Sequence, residues 1–146
     1  SGYTIFRRIG SMKTNGSAQW NSFYQEGDYF FVVEVTDFSY GGTSAMTLRT
    51  LSVPTGIILF PLIKGYSSSV NNTGSTLKVA PASNSALSRS IGGSSANGAG
   101  TGIYIYGGAE IGPTTNTSAQ IYVQVSSTSN GGSLLTAGWI DRRGKD

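Results

Sequence analysis

Few residues of this chain have types and spacings that could do chemistry. Ser75-Thr76-Leu77-Lys78 has the S-x-x-K spacing of serine acyl enzymes. That chemistry needs a helix start and the partner motifs S-D-N and K-T-G, and both motifs are missing. A strand residue followed by a chance lysine is the simpler reading. Glu26 and Asp28 flank Gly27. Retaining glycosidases hold two carboxyls about 5 Å apart across a sugar, but carboxylates this close in a tight turn more often shape the turn or pair with a cation. Glu26, Asp28 and Asp37 are oxygen donors of the kind that calcium takes. Gly98 to Gly102 is glycine-rich, yet no G-K-[ST] comes after it, so it does not read as a phosphate cradle.

Cysteine and histidine are both absent. Their absence removes disulfides, thiolate chemistry, the usual general base and the commonest metal ligand. The expectation is a protein that is not an enzyme, with no metal and no cofactor. Asn15-Gly16-Ser17, Asn71-Asn72-Thr73 and Asn116-Thr117-Ser118 match the glycosylation sequon, which has meaning only in a eukaryotic secretory setting.

Aromatic residues near predicted loops carry more weight. Sugars offer C–H faces to aromatic rings, while amide and charged side chains bind their hydroxyls. Trp20, Tyr24, Tyr40, Tyr66, Tyr104 and Tyr106 are candidates, with Tyr122 and Trp139. Tyr40 and Tyr66 stand beside Gly and Ser, which favours exposure, although packing of a loop on a sandwich edge would use them equally well. Trp139 and Trp20 read as core residues. The candidate ligand contacts are Tyr40, Tyr66, Asn71, Asn97 and Asn116, chosen because predicted loops display them.

The elements that must position these residues are strands. The chain has 146 residues, the size of one domain. Ser1-Gly2 reads as a remnant of tag removal, and residues 3–146 as one β-sandwich knob. Charged residues make up only 12%, against about 25% in an average soluble domain. Low charge with many β-branched and aromatic residues predicts β structure. Net charge is +3, and the basic residues are too scattered for a nucleic-acid stripe. No stretch approaches the ~20 apolar residues of a membrane span.

Nine or ten short strands are expected, at 3–9, 19–25, 28–37, 46–53, 57–63, 77–80, 103–106, 121–125 and 134–140. Loops are expected at 39–43, 65–75, 91–102 and 107–118, and no internal repeat is visible. Such spacing predicts a sandwich or jelly roll. The run Ile57-Ile58-Leu59-Phe60-Pro61-Leu62-Ile63 is apolar on both faces of a strand. Pro61 cannot donate to a ladder and so favours an edge or a bulge. Either the strand is covered on both sides within one domain, or one face meets another subunit. The second alternative puts Ile57, Leu59 and Ile63 at a subunit contact.

Four stretches carry a resemblance. Phe6-Arg7-Arg8-Ile9-Gly10-Ser11 is followed by an Asn-Gly turn and then by Phe23-Tyr24-Gln25-Glu26-Gly27-Asp28-Tyr29-Phe30. Leu51-Ser52-Val53-Pro54-Thr55-Gly56 lies in the middle, and Gly138-Trp139-Ile140-Asp141-Arg142-Arg143-Gly144-Lys145 closes the chain. In this order they resemble the C-terminal domains of tailed-bacteriophage tail proteins. The resemblance implies a distal virion module, similar to a tail-fibre tip or tail-needle knob, with a TNF-like jelly-roll sandwich assembled as a homotrimer. It implies attachment to a bacterial surface polysaccharide or outer-membrane receptor, or, alternatively, a trimerising cap that binds nothing. Arg7, Arg8, Asp141 and Arg142 would form an ion-pair cluster between the first and last strands.

Overall fold

The computed structural model describes residues 10–41, 45–68, 75–94, 113–125 and 131–142. They form two four-stranded antiparallel sheets that face one another as a sandwich, with no α-helix among the described residues. The first sheet has the order β1 (Phe23–Glu26), β2 (Tyr29–Gly41), β8 (Gly131–Ile140), β4 (Phe60–Ser68). The second has the order β3 (Thr47–Thr50), β7 (Gln120–Val125), β5 (Ser75–Ala80), β6 (Arg89–Ser94). A short 3-10 helix, Ser85–Leu87, joins β5 to β6 and is capped by the Asn84 side chain. The pairing is nested: β2 with β8, β3 with β7, β5 with β6. Cross-pairs β4–β8 and β5–β7 complete the sheets.

Alternation builds the core. In β7, Ile121, Val123 and Val125 turn inward and are fully buried, while Gln120, Tyr122 and Gln124 face out. Leu77, Val79 and Ile91 join them from the same sheet, and Phe30, Ile63, Leu134 and Trp139 meet them from the other. Leu51, Val53, Leu59 and Ala119 close the ends of the core from the connections. The sheets approach closely at Gly65, where an added Cβ would stand 2.5 Å from Leu77 Cδ2 and 2.8 Å from Ile91 Cδ1.

The apolar run at 57–63 is not one strand. The ladder begins at Phe60, and Ile57 to Leu59 precede it. β4 is an edge strand with an irregularity between Leu62 and Ile63, as Pro61 requires. Leu59, Leu62 and Ile63 are each no more than 2% exposed within a single chain, and Ile57 packs partly against the core. Ile58 alone of the run stands out, at 64% exposure. Leu59 and Ile63 are therefore core residues and not subunit contacts. Both are sealed within the single chain, where β4 packs on β5 and β6, so they offer a partner no surface.

Other boundaries moved. β2 continues through Ser39, Tyr40 and Gly41, which were expected in a loop. β4 carries Lys64 to Ser68 into what was expected to be loop, and β6 takes up Arg89 to Ser94. The predicted strand at 19–25 contracts to Phe23–Glu26. The expected strands at 3–9 and 103–106 lie outside the described residues.

Candidate recognition surface

One local structure occurs twice. Thr14-Asn15-Gly16-Ser17-Ala18-Gln19 and Thr115-Asn116-Thr117-Ser118-Ala119-Gln120 fold into the same loop. In the first, Asn15 Oδ1 accepts from Ser17 N at 2.9 Å and Gln19 N at 3.0 Å, and Asn15 Nδ2 donates to Gln19 Oε1. In the second, Asn116 Oδ1 accepts from Ser118 N at 3.0 Å and Gln120 N at 2.9 Å, and Asn116 Nδ2 donates to Gln120 Oε1. The backbone bonds also match, and Ala18 and Ala119 sit at φ 58° and 59°. The side-chain amide acts as a staple that closes a five-residue turn. The chain therefore does contain a short internal repeat, and its signal, T-N-x-S-A-Q, is legible in the sequence. The same geometry gives Asn116 a structural role, because its Oδ1 and one Nδ2 proton are used within its own loop.

The two copies differ at the next residue. Ile121, after the second loop, is fully buried in the core. Trp20, at the equivalent place after the first, is 67% exposed. Its hairpin is closed by a bridge between Thr14 and Trp20 and by Asn21 N donating to Lys13 O. Trp20 is thus not the core residue expected from its neighbours. It is an indole held in the open on a stapled hairpin.

A second exposed group lies on the outer face of the first sheet. Tyr24 pairs in register with Phe31, their rings 6.4 Å apart, and Tyr29 lies 6.1 Å from Phe31 with its ring nearly parallel. Val33 continues this face along β2, whereas Val35 pairs with Thr136, itself opposite the buried Ile63, and so stands on the core side at its margin. Tyr24 is 65% exposed and Val33 is 83% exposed. The ladder to β8 skips from Phe31 to Val35, and the ladder to β1 ends at Val32. This bulge turns Val33 out to solvent. The sequence concealed this face, because Tyr29 to Val35 is apolar at nearly every position and neither side is marked as outer.

Of the other expected contacts, Tyr66 is half-buried on the outer face of edge strand β4, and Tyr40 lies near the end of β2. Asn71 and Asn97 lie outside the described residues. Arg7 and Arg8 also lie outside them. Asp141 is fully buried, its amide donating to Asp28 O at 2.9 Å. The Arg142 guanidinium lies 4.7 Å from the centre of the Phe60 ring, a cation–π contact. Gly27, Gly56 and Gly138, all in the stretches of resemblance, have positive φ.

The chemistry considered from sequence is not assembled. Leu77 and Lys78 sit on β5 rather than at a helix start. Glu26 and Asp28 flank the tight β1–β2 turn. Among the described residues no three acidic side chains gather as a metal site. Asp37 is used structurally. It occupies the second irregularity of β2, between Thr36 and Phe38, where Oδ1 accepts from Ser52 N at 2.7 Å and Oδ2 accepts from Thr136 Oγ1 at 2.5 Å. It thereby ties β2 to β8 and to the connection after β3.

Burial pushes the Asp37 carboxyl above its ordinary 3.8, against the opposing pull of the Thr136 and Ser52 hydrogen bonds and of Lys13. The folded state therefore holds that proton more tightly than the unfolded chain. Its contribution favours folding in acid and is lost as pH rises through the raised folded-state value. Asp37→Asn should remove this dependence. The urea midpoint of the native protein should fall relative to D37N as pH rises from below 3.8 through the raised folded-state value. A constant difference between the two across that range would contradict the assignment.

Compared with known proteins, the chain matches no family model, no curated protein and no solved structure.

Proposed function

We propose that this chain is a non-enzymatic attachment module of a distal bacteriophage tail, a jelly-roll-like knob that works as a homotrimer in the virion and binds a bacterial cell-envelope glycan. The nested strand pairing supports the jelly-roll reading, since that fold winds a long antiparallel hairpin into two sheets. The absence of histidine and cysteine and the low charge agree with recognition by ring stacking and amide hydrogen bonds.

The observation that carries the reading is Trp20. Its loop has an internal twin in which the same position is filled by a core isoleucine, so the fold itself has no use for an indole in solvent. A flat, pre-positioned ring is suited to the C–H face of a sugar and loses little entropy on binding. Repetition of a weak site about a threefold axis would raise its avidity without new contacts.

The test is binding of the assembled protein to purified host envelope polysaccharide. Trp20→Ala should weaken binding at least tenfold while leaving the melting temperature within a degree or two, about what an exposed side chain contributes. Binding that is unchanged in W20A, or absent from the native protein, would reject this function. In the latter case the trimerising cap becomes the better reading, and the apolar outer face of β2 is the feature that favours it.

A further inference from the structure

We infer that the outer face of β1 and β2, formed by Tyr24, Tyr29, Phe31 and Val33, is where one copy of this chain meets the next. The inference rests on the homotrimer proposed above and names its surface, which is not the one expected from the 57–63 run.

Three observations choose the occupant. The first is area. With an aromatic side chain exposing ~150–250 Å² when fully open and a valine less, the exposed fractions of these four residues amount to roughly 400 Å² of mostly apolar surface. That is within the range of the largest patch on a monomer, where such patches often serve a contact, and about half of the ~800 Å² that each partner buries in a standard interface. The second is chemistry. A sugar gains from stacking on rings but little from isopropyl groups, and the most open residue here is Val33, at 83%. The bulge that turns Val33 outward leaves it off the β8 ladder, so the position is costly unless something dry covers it. The third is charge. Glu34, next to Val33, is paired with Lys64 from β4, and Glu26 lies at the far end of the face, by the turn. Three copies of this face can therefore converge about a threefold axis without burying an unpaired charge or opposing like charges at the centre.

The experiment is solution mass by sedimentation equilibrium across a range of concentration, on the native protein and on variants at open positions. Native protein should sediment well above its 15.2 kDa chain mass. Val33→Lys should raise the dissociation constant by at least a hundredfold, and the V33K/Y24K pair should sediment as a single chain with an unchanged melting temperature. Ile58→Lys, also well exposed but off this face, should assemble like the native protein. Footprinting with hydroxyl radicals needs no variant: Tyr24 and Phe31 should gain reactivity as the native protein is diluted.

A native protein of single-chain mass at every concentration would overturn both this surface and the trimer. An assembled V33K/Y24K, or Tyr24 and Phe31 equally reactive at all dilutions, would overturn this surface and leave the trimer standing. Loss of assembly in I58K would also overturn it, since the effect would not belong to this face.

Discussion

Gly138→Ala is expected to be one of the most destabilising single changes in the sheet. Gly138 pairs with Phe31 on one side and Leu62 on the other, in the middle of the first sheet. Its φ is +155°, and a Cβ added there would overlap the Phe30 carbonyl oxygen and press to 3.1 Å on Phe31 Cα. The obstacle is backbone, not the tip of a flexible side chain, so it cannot swing aside. Relief would require β2 and β8 to separate, and with them the inward-facing Phe30 and Trp139. Overpacking costs about 1–3 kcal/mol and a disfavoured backbone conformation about 1–3 kcal/mol more. The loss should therefore be ~3 kcal/mol or greater, a large part of the ~5–15 kcal/mol that holds a domain together. Urea unfolding read by circular dichroism measures it. A G138A protein with a midpoint close to the native one would show that the strands adjust more freely than this packing implies.

Trp139→Ala should cost about 3–5 kcal/mol, the usual range for emptying a buried aromatic site. Trp139 is fully buried, its ring stacked on Phe30 at 5.5 Å and 8°. Its Nε1 donates to Ser11 Oγ at 3.0 Å in the same dry setting. That bond fastens the chain before the Trp20 hairpin to the last strand. Trp139→Phe keeps the ring stack but removes the donor, and should cost less than the alanine variant. Ser11→Ala removes the acceptor and leaves the indole N–H unsatisfied. A double-mutant cycle of W139F and S11A should give a coupling of ~1 kcal/mol or more, because each single change leaves a buried polar group without its partner. Additive costs would mean that the hydrogen bond contributes nothing beyond packing. Because the fluorescence of W139F comes from Trp20 alone, it should also report a solvent-exposed indole.

Much of the fold could be read from local pattern. Alternation at Ile121, Val123 and Val125 fixed which face of β7 is inner, and the structure agrees. Glu26-Gly27-Asp28 was legible as a tight turn, and Gly27 has the positive φ that such a turn needs. Pro61 marked an edge strand, which β4 is. The site was less legible. Asn116 reads as a displayed loop amide until the hydrogen bonds show it closing its own turn.

Residue order alone was enough for the all-β class, the inner face of each cleanly alternating strand and the turns built on glycine, because these depend on the period of side chains along one strand. Which apolar residues are left over was settled by packing between strands. Residues 29–35 and 57–63 are similarly apolar as strings, yet the second is largely sealed inside and the first keeps an open face. Which one is covered depends on which sheet packs over it and where a bulge shifts the register, and those are properties of strands distant in the chain.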